Sequence, residues 1–190
     1  MNSRRLEDLV KEFKGENHDD PVVNYCLCQD SLEEAIKIAV LSRHREKGKM
    51  IMHHHQYKIG LKRLTKYHKK LSSYIEKIET CNNFDELYGV LESYKDKGIG
   101  ELTLYDIAVR IATFMEKKSY TASNMLPDKV YLHADSEKGA KILLGRSVKR
   151  TEPKSVFPPA LQSLTCDEIE TFLCRMYNEN KLSLYIEDEL

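Results

Sequence analysis

Between Glu101 and Lys117 the chain is apolar over most of a helical circumference. Leu102, Leu104, Tyr105, Ile107, Ala108, Val109, Ile111, Ala112, Phe114 and Met115 leave little of that surface for water. A helix of this kind is packed on several sides, so the remaining chain has to be arranged around it. Its polar residues fall on one stripe: Thr103, Asp106, Arg110, Thr113 and Lys117. Asp106 precedes Arg110 by one turn in the favourable order, which predicts a salt bridge between them. A carboxylate lining a cleft is the second reading of Asp106. Upstream, Asn83 and Glu86 have capping-box spacing and open a helix that carries Leu87, Val90, Leu91 and Tyr94. Lys97-Gly98-Ile99-Gly100 joins the two helices.

The other segments read as partners for this pair. Leu6, Leu9, Val10 and Phe13 form a short amphipathic helix that breaks between Gly15 and Pro21. Asp30 or Ser31 caps a helix, with Ser31 and Glu34 in capping-box spacing and Leu32, Ala35, Ile36, Ala39 and Val40 on its buried stripe, fading near Gly48. From Met50 to Glu79 the steps Met50, His54, Tyr57, Leu61, Leu64, His68, Leu71, Ile75 and Ile78 predict one long helix. Its seam would bury His54 and His68 as hydrogen-bonded core residues, and Gly60 weakens it by about 1 kcal/mol. Lys58, Lys62, Lys66 and Lys69 lie elsewhere on the same cylinder as a basic strip, with Arg43, Arg45, Lys47 and Lys49 preceding it. Residues 119–127 read as a loop. Lys129 to His133 read as a short extended piece, with a helix start as the alternative, and Asp135 or Ser136 opens a helix through Leu144. Residues 145–164, with Pro153, Pro158 and Pro159, read as a surface linker. Thr165 and Glu168 open the last helix, whose final ten residues are expected to fray.

Thirty basic and thirty acidic side chains cancel, so total charge selects no partner. Their distribution is uneven: residues 42–70 hold ten Lys or Arg against Glu46 alone, and five histidines. A basic side on a neutral molecule follows. The five cysteines, Cys26, Cys28, Cys81, Cys166 and Cys174, have no Cys-x-x-Cys spacing and imply neither a zinc ribbon nor a disulfide framework. Reduced thiols, no apolar leader and no membrane-length run lead to the expectation of a soluble cytoplasmic protein with no membrane partner. Of His53, His54 and His55, at most two could meet one ion, because successive helical residues point about 100° apart. Neither a metal centre nor a cofactor is expected.

A Gly-Ile-Gly turn that opens a helix is suited to an anion. Without Cβ atoms the backbone can take positive φ and come close to a ligand, and the first amides of the following helix lack intrahelical partners. A nucleic-acid phosphate is one such anion.

The stretch Phe84 to Leu143 resembles the helix-hairpin-helix region of the DNA glycosylase superfamily. The resemblance is carried by Gly98-Ile99-Gly100, Thr103, the apolar helix, Pro127 and the piece ending Val130-Tyr131-Leu132-His133. It implies an all-α, DNA-glycosylase-like fold, built as a compact helical bundle, with hairpin amides on a DNA phosphate and a catalytic aspartate after the proline. The chain departs from that pattern in several places. Leu104 stands where a small residue is usual, and Lys129 stands where the aspartate is expected, with Asp128 one residue early. Glu101, Leu102 and Thr103 fill the place of the lysine nucleophile, and the four-cysteine cluster is missing.

One all-α domain over 1–190 is therefore expected, with 84–117 as the helix-hairpin-helix and 165–190 as C-terminal helix and tail. The expected activity is non-catalytic binding of nucleic acid, DNA foremost, with little sequence preference. Gly98, Ile99, Gly100 and Thr103 would hold phosphate, and Lys58, Lys62 and Lys66 would add attraction. Two alternatives stand beside it: a base-excision enzyme using Asp128, or Asp106 with His133, and a protein-interaction bundle without nucleic acid.

Overall fold

Three helices begin where the capping pairs place them. The Asn83 side-chain oxygen accepts the Glu86 amide at 2.9 Å, Ser31 Oγ accepts the Glu34 amide at 3.3 Å, and the Thr165 amide donates to Glu168 Oε2 at 2.7 Å. The computed structural model describes residues 3–16, 20–120 and 124–182. The expected fraying tail lies almost wholly outside them, as does part of the 119–127 loop. In chain order the elements are α1 (Ser3–Gly15), α2 (Pro21–Leu27), α3 (Leu32–Leu41), β1 (Arg43–Glu46), β2 (Lys49–Met52), α4 (His54–Tyr57) and α5 (Leu61–Leu71). They continue with α6 (Ile75–Glu79), α7 (Phe84–Ser93), α8 (Glu101–Lys117), β3 (Lys129–Tyr131), α9 (Ala134–Leu144), β4 (Thr151–Pro153) and α10 (Cys166–Asn178). The described chain is mostly helical, with two small antiparallel sheets that the all-α reading did not contain. It divides into two compact units, residues 19–126 and residues 1–18 with 127–190.

In the unit 19–126, α8 packs against α2, α3 and α7. Leu104, Ile107, Ala108, Ile111, Ala112, Phe114 and Met115 are all fully buried, as the apolar circumference requires. Each large side chain among them stabilises the fold by about 1.5–3 kcal/mol. Tyr67 on α5 donates its hydroxyl to the Leu91 carbonyl of α7 at 2.7 Å, locking those helices together.

The helix expected over Met50–Glu79 does not form as one piece, and the chain before it does not fade as helix at Gly48. Lys47 and Gly48 both take positive φ, 48° and 80°, which makes a tight two-residue turn between β1 and β2. Gly60, at φ +82°, interrupts the remainder, and a 3-10 turn at Ser72–Tyr74 separates α5 from α6. The apolar seam holds only from Leu64 onward: Leu64, Leu71 and Ile78 are buried, whereas Tyr57 is 75% exposed. His54 is exposed, not a core residue, and His68 is half-buried.

In the other unit, α1, α9, α10 and the β3–β4 ribbon enclose a second core. Phe13 meets Phe172 edge to face at 5.5 Å. Gly139 lets α9 lie directly on α10, since a Cβ there would sit 2.5 Å from the Leu173 carbonyl oxygen. Residues 145–164 carry β4 and two 3-10 turns, and place Phe157, Leu161 and Leu164 in this core. Buried Glu152 is held by Arg146 at 2.9 Å and by the Lys149 amide at 3.0 Å.

Candidate nucleic-acid interface

The α7–α8 connection is built from one left-handed glycine and one extended glycine. Gly98 has φ +93°, and Gly100 has φ −80° and ψ 168° as the residue capping α8. Both are exposed, and Ile99 between them is buried and anchors the turn. The Ile99 amide donates to the Asp96 carbonyl at 3.1 Å, so it is not available to a ligand as expected. The intrahelical ladder starts with the Leu104 amide on the Gly100 carbonyl at 3.1 Å. Gly100 offers the first turn no side-chain cap, and its amide and those that follow carry the positive end of the α8 dipole.

The two glycines have different justifications. Gly98 needs its conformation, and a Cβ there would come within 2.8 Å of the Arg63 guanidinium. Gly100 needs neither, because its backbone is ordinary and a Cβ would meet nothing within 4 Å. Its lack of a side chain leaves room above the helix N-terminus on the solvent side.

Helix α5 brings positive charge to this turn. Arg63 lies over Gly98, Lys66 Nζ is 3.3 Å from Asp96, and Lys70 Nζ is 3.7 Å from the other oxygen of the same carboxylate. Lys66 therefore lies close to the turn. Lys58 lies in the turn between α4 and Gly60, outside the helix that carries Lys66, and Lys62 is exposed one residue before Arg63. Thr103 is buried on α8, so its side chain does not face a ligand. Sequence reasoning missed Arg63, Lys70 and Asp96. Arg63 and Lys70 were legible only among the ten basic residues of 42–70, and nothing local marked Asp96.

The polar stripe of α8 is buried or half-buried from Thr103 to Thr113, and Lys117 at its end is exposed. Arg110 is 1% exposed and does not pair with Asp106 as expected. It donates from Nε to Asp20 Oδ2 at 2.6 Å and from a terminal nitrogen to Ser42 Oγ at 2.6 Å and the Ala39 carbonyl at 3.2 Å. Asp106 instead accepts from Gln56 Nε2 at 2.6 Å and lies 3.3 Å from His55 Nδ1. Burial works to raise the Asp106 pKa, but the His55 and Gln56 hydrogen bonds and the Arg110 charge outweigh it and hold the carboxyl below its usual range. Burial, with Arg110 nearby, lowers His53.

Of the remaining catalytic candidates, His133 belongs to the unit of residues 1–18 with 127–190 and Asp106 to the unit of residues 19–126. His133 is buried at the start of α9, where its amide donates to Ser136 Oγ at 2.9 Å. Asp128 is exposed at the rim of an open depression of about 640 Å³, flanked by Lys129, Lys149 and Lys154. No helix among the described residues is long and apolar enough to cross a membrane. Compared with protein-family models, curated proteins and solved structures, the chain matches none.

Proposed function

We propose that this protein binds the sugar-phosphate backbone of nucleic acid through the α7–α8 hairpin, without making or breaking a bond. One observation carries the reading: an exposed helix N-terminus with no side-chain cap lies beside Arg63, Lys66 and Lys70 of a second helix. The Gly100 amide and the first amides of α8 would take one phosphate, and the guanidinium and ammonium groups would neutralise its neighbours. Asp96 holds two of these cations in place, and Glu101 in the first turn of α8 is a further acidic group beside the site. Duplex DNA is the preferred partner on the resemblance of the hairpin to the glycosylase superfamily. Base excision has less support, since Lys129 stands at the catalytic position and Asp128 is exposed at an open rim.

A fluorescence-anisotropy titration of labelled duplex against salt tests this. Each phosphate neutralised contributes roughly 0.9 to the log–log slope, so contacts from Arg63, Lys66 and Lys70 predict a slope of about −3 or steeper. The triple substitution of those residues by alanine should flatten it. No measurable binding to duplex or single strand at low salt removes the reading.

A further inference from the structure

The strongest chemistry outside that hairpin is where the β1–β2 ribbon runs into α4. His53, His55 and Asp106 each present one donor atom there, all within 4.8 Å of one another. Three elements supply them. His53 is the extended residue before α4, fixed by its amide on the Ser42 carbonyl at 2.8 Å; His55 lies on α4, and Asp106 on α8. Because His53 is extended, the i and i+2 imidazoles can converge, which a continuous helix forbids. We propose that these three side chains form a binding site for one divalent transition-metal ion of the zinc type.

The residues around the donors are arranged as a metal site requires. Gln56 is fully buried and bridges the ligands, with Oε1 3.1 Å from His53 Nδ1 and Nε2 2.6 Å from Asp106 Oδ2. A proton on His53 Nδ1 directed at Gln56 leaves the Nε2 lone pair for the ion. That is the outer-shell orientation common to ligating histidines. Arg110 is a nearby cation that opposes a bound positive ion, and Asp20 pairs with it at 2.6 Å. Asp106 therefore remains as the net negative charge facing the site. His55 is 36% exposed, which gives an ion a way in from solvent.

The donor set selects the class of ion. Two imidazoles and one carboxylate suit Zn²⁺, Co²⁺ or Ni²⁺, whereas Ca²⁺ and Mg²⁺ favour oxygen-only shells. With metal–ligand bonds near 2.0–2.1 Å, tetrahedral donors lie about 3.3 Å apart, so small side-chain rotations close the site. Three protein ligands leave the fourth position to water. The ion would pin α4 and the ribbon exit to α8, independently of any nucleic-acid contact.

The test uses chelator-treated full-length protein titrated with Co²⁺ and then Zn²⁺, read by calorimetry and by the visible ligand-field spectrum of cobalt. One ion per chain is expected, with the intense bands of four- or five-coordinate cobalt displaced by zinc. Asp106→Asn and His55→Ala should each weaken binding at least tenfold, and His54→Ala, which removes a ring packed at 4.5 Å on His53 and 4.1 Å on His55 but none of the three donors, should weaken it less than either. Circular dichroism of every variant separates lost ligation from lost fold, and exposed His55 can be replaced without opening the core. The proposal is overturned by weak octahedral-type cobalt spectra, by the absence of stoichiometric binding, or by loss on His54→Ala with retention on Asp106→Asn. That last pattern would mark an ordinary surface histidine run.

Discussion

Replacing Gly100 by aspartate separates the stability of the hairpin from its binding. Gly100 sits at φ −80°, ψ 168° with open space where a Cβ would go, so the fold accepts a side chain there. It also caps α8 without contributing a side-chain acceptor. Aspartate at that position can accept a first-turn amide and complement the helix dipole, which should raise stability by a few tenths of a kcal/mol. The same carboxylate would occupy the proposed phosphate position. Two like charges about 5 Å apart at an effective dielectric constant near 20 repel by about 3 kcal/mol, roughly a hundredfold in affinity. Gly100→Ser, which caps without charge, should lose far less. Thermal melting and anisotropy on the same preparations give both numbers. If Gly100→Asp melts no lower than the parent yet binds duplex within roughly twofold of it, the hairpin is not where phosphate sits.

Other consequences lie in the cores and the thiols. Gly139→Ala forces a Cβ against the Leu173 carbonyl oxygen, and urea denaturation should show a loss of about 1–3 kcal/mol as α9 and α10 separate. Glu152 is held below its ordinary value near 4.5, first by the Arg146 hydrogen bond and then by the Lys149 amide. Its contribution is thus complete above pH 4.5 and is lost as pH falls through the lower folded value, and Glu152→Gln should flatten that acid limb in pH-dependent melts. Burial pushes Cys26 up to about 12 and Cys81 up to about 11, while Cys28 is exposed. A maleimide reagent at neutral pH should label Cys28 rapidly and reach Cys26 and Cys81 only after denaturation, as peptide mass mapping would show. Rapid native labelling of Cys26 would contradict its placement under α3.

Features that depend on neighbours in sequence were legible. The pairs Ser31–Glu34, Asn83–Glu86 and Thr165–Glu168 mark helix starts because a cap is a local bond. The centrality of α8 follows from its periodicity, and the glycine turn from its composition. The ribbon was not legible, because Arg43-His44-Arg45-Glu46 has no apolar alternation and only Lys47-Gly48 signals the turn. Gly60 was read as a cost inside a helix, whereas at positive φ it is the residue from which α5 starts. The largest errors came from pairings distant in sequence. Asp20 lies ninety residues from Arg110 and Gln56 fifty from Asp106, so the local i,i+4 rule assigned Asp106 the wrong partner. The approach of Arg63 to Gly98 is equally non-local.

The most direct measurement of the central claim is the amide chemical-shift response of isotope-labelled protein to a short duplex. The account predicts that the largest changes fall on Gly98, Gly100 and residues 101–103, with smaller ones along α5 near Arg63, Lys66 and Lys70, all reversed by added salt. Changes confined to the β1–β2 ribbon or to the depression beside Asp128, with the hairpin amides unmoved, would contradict it.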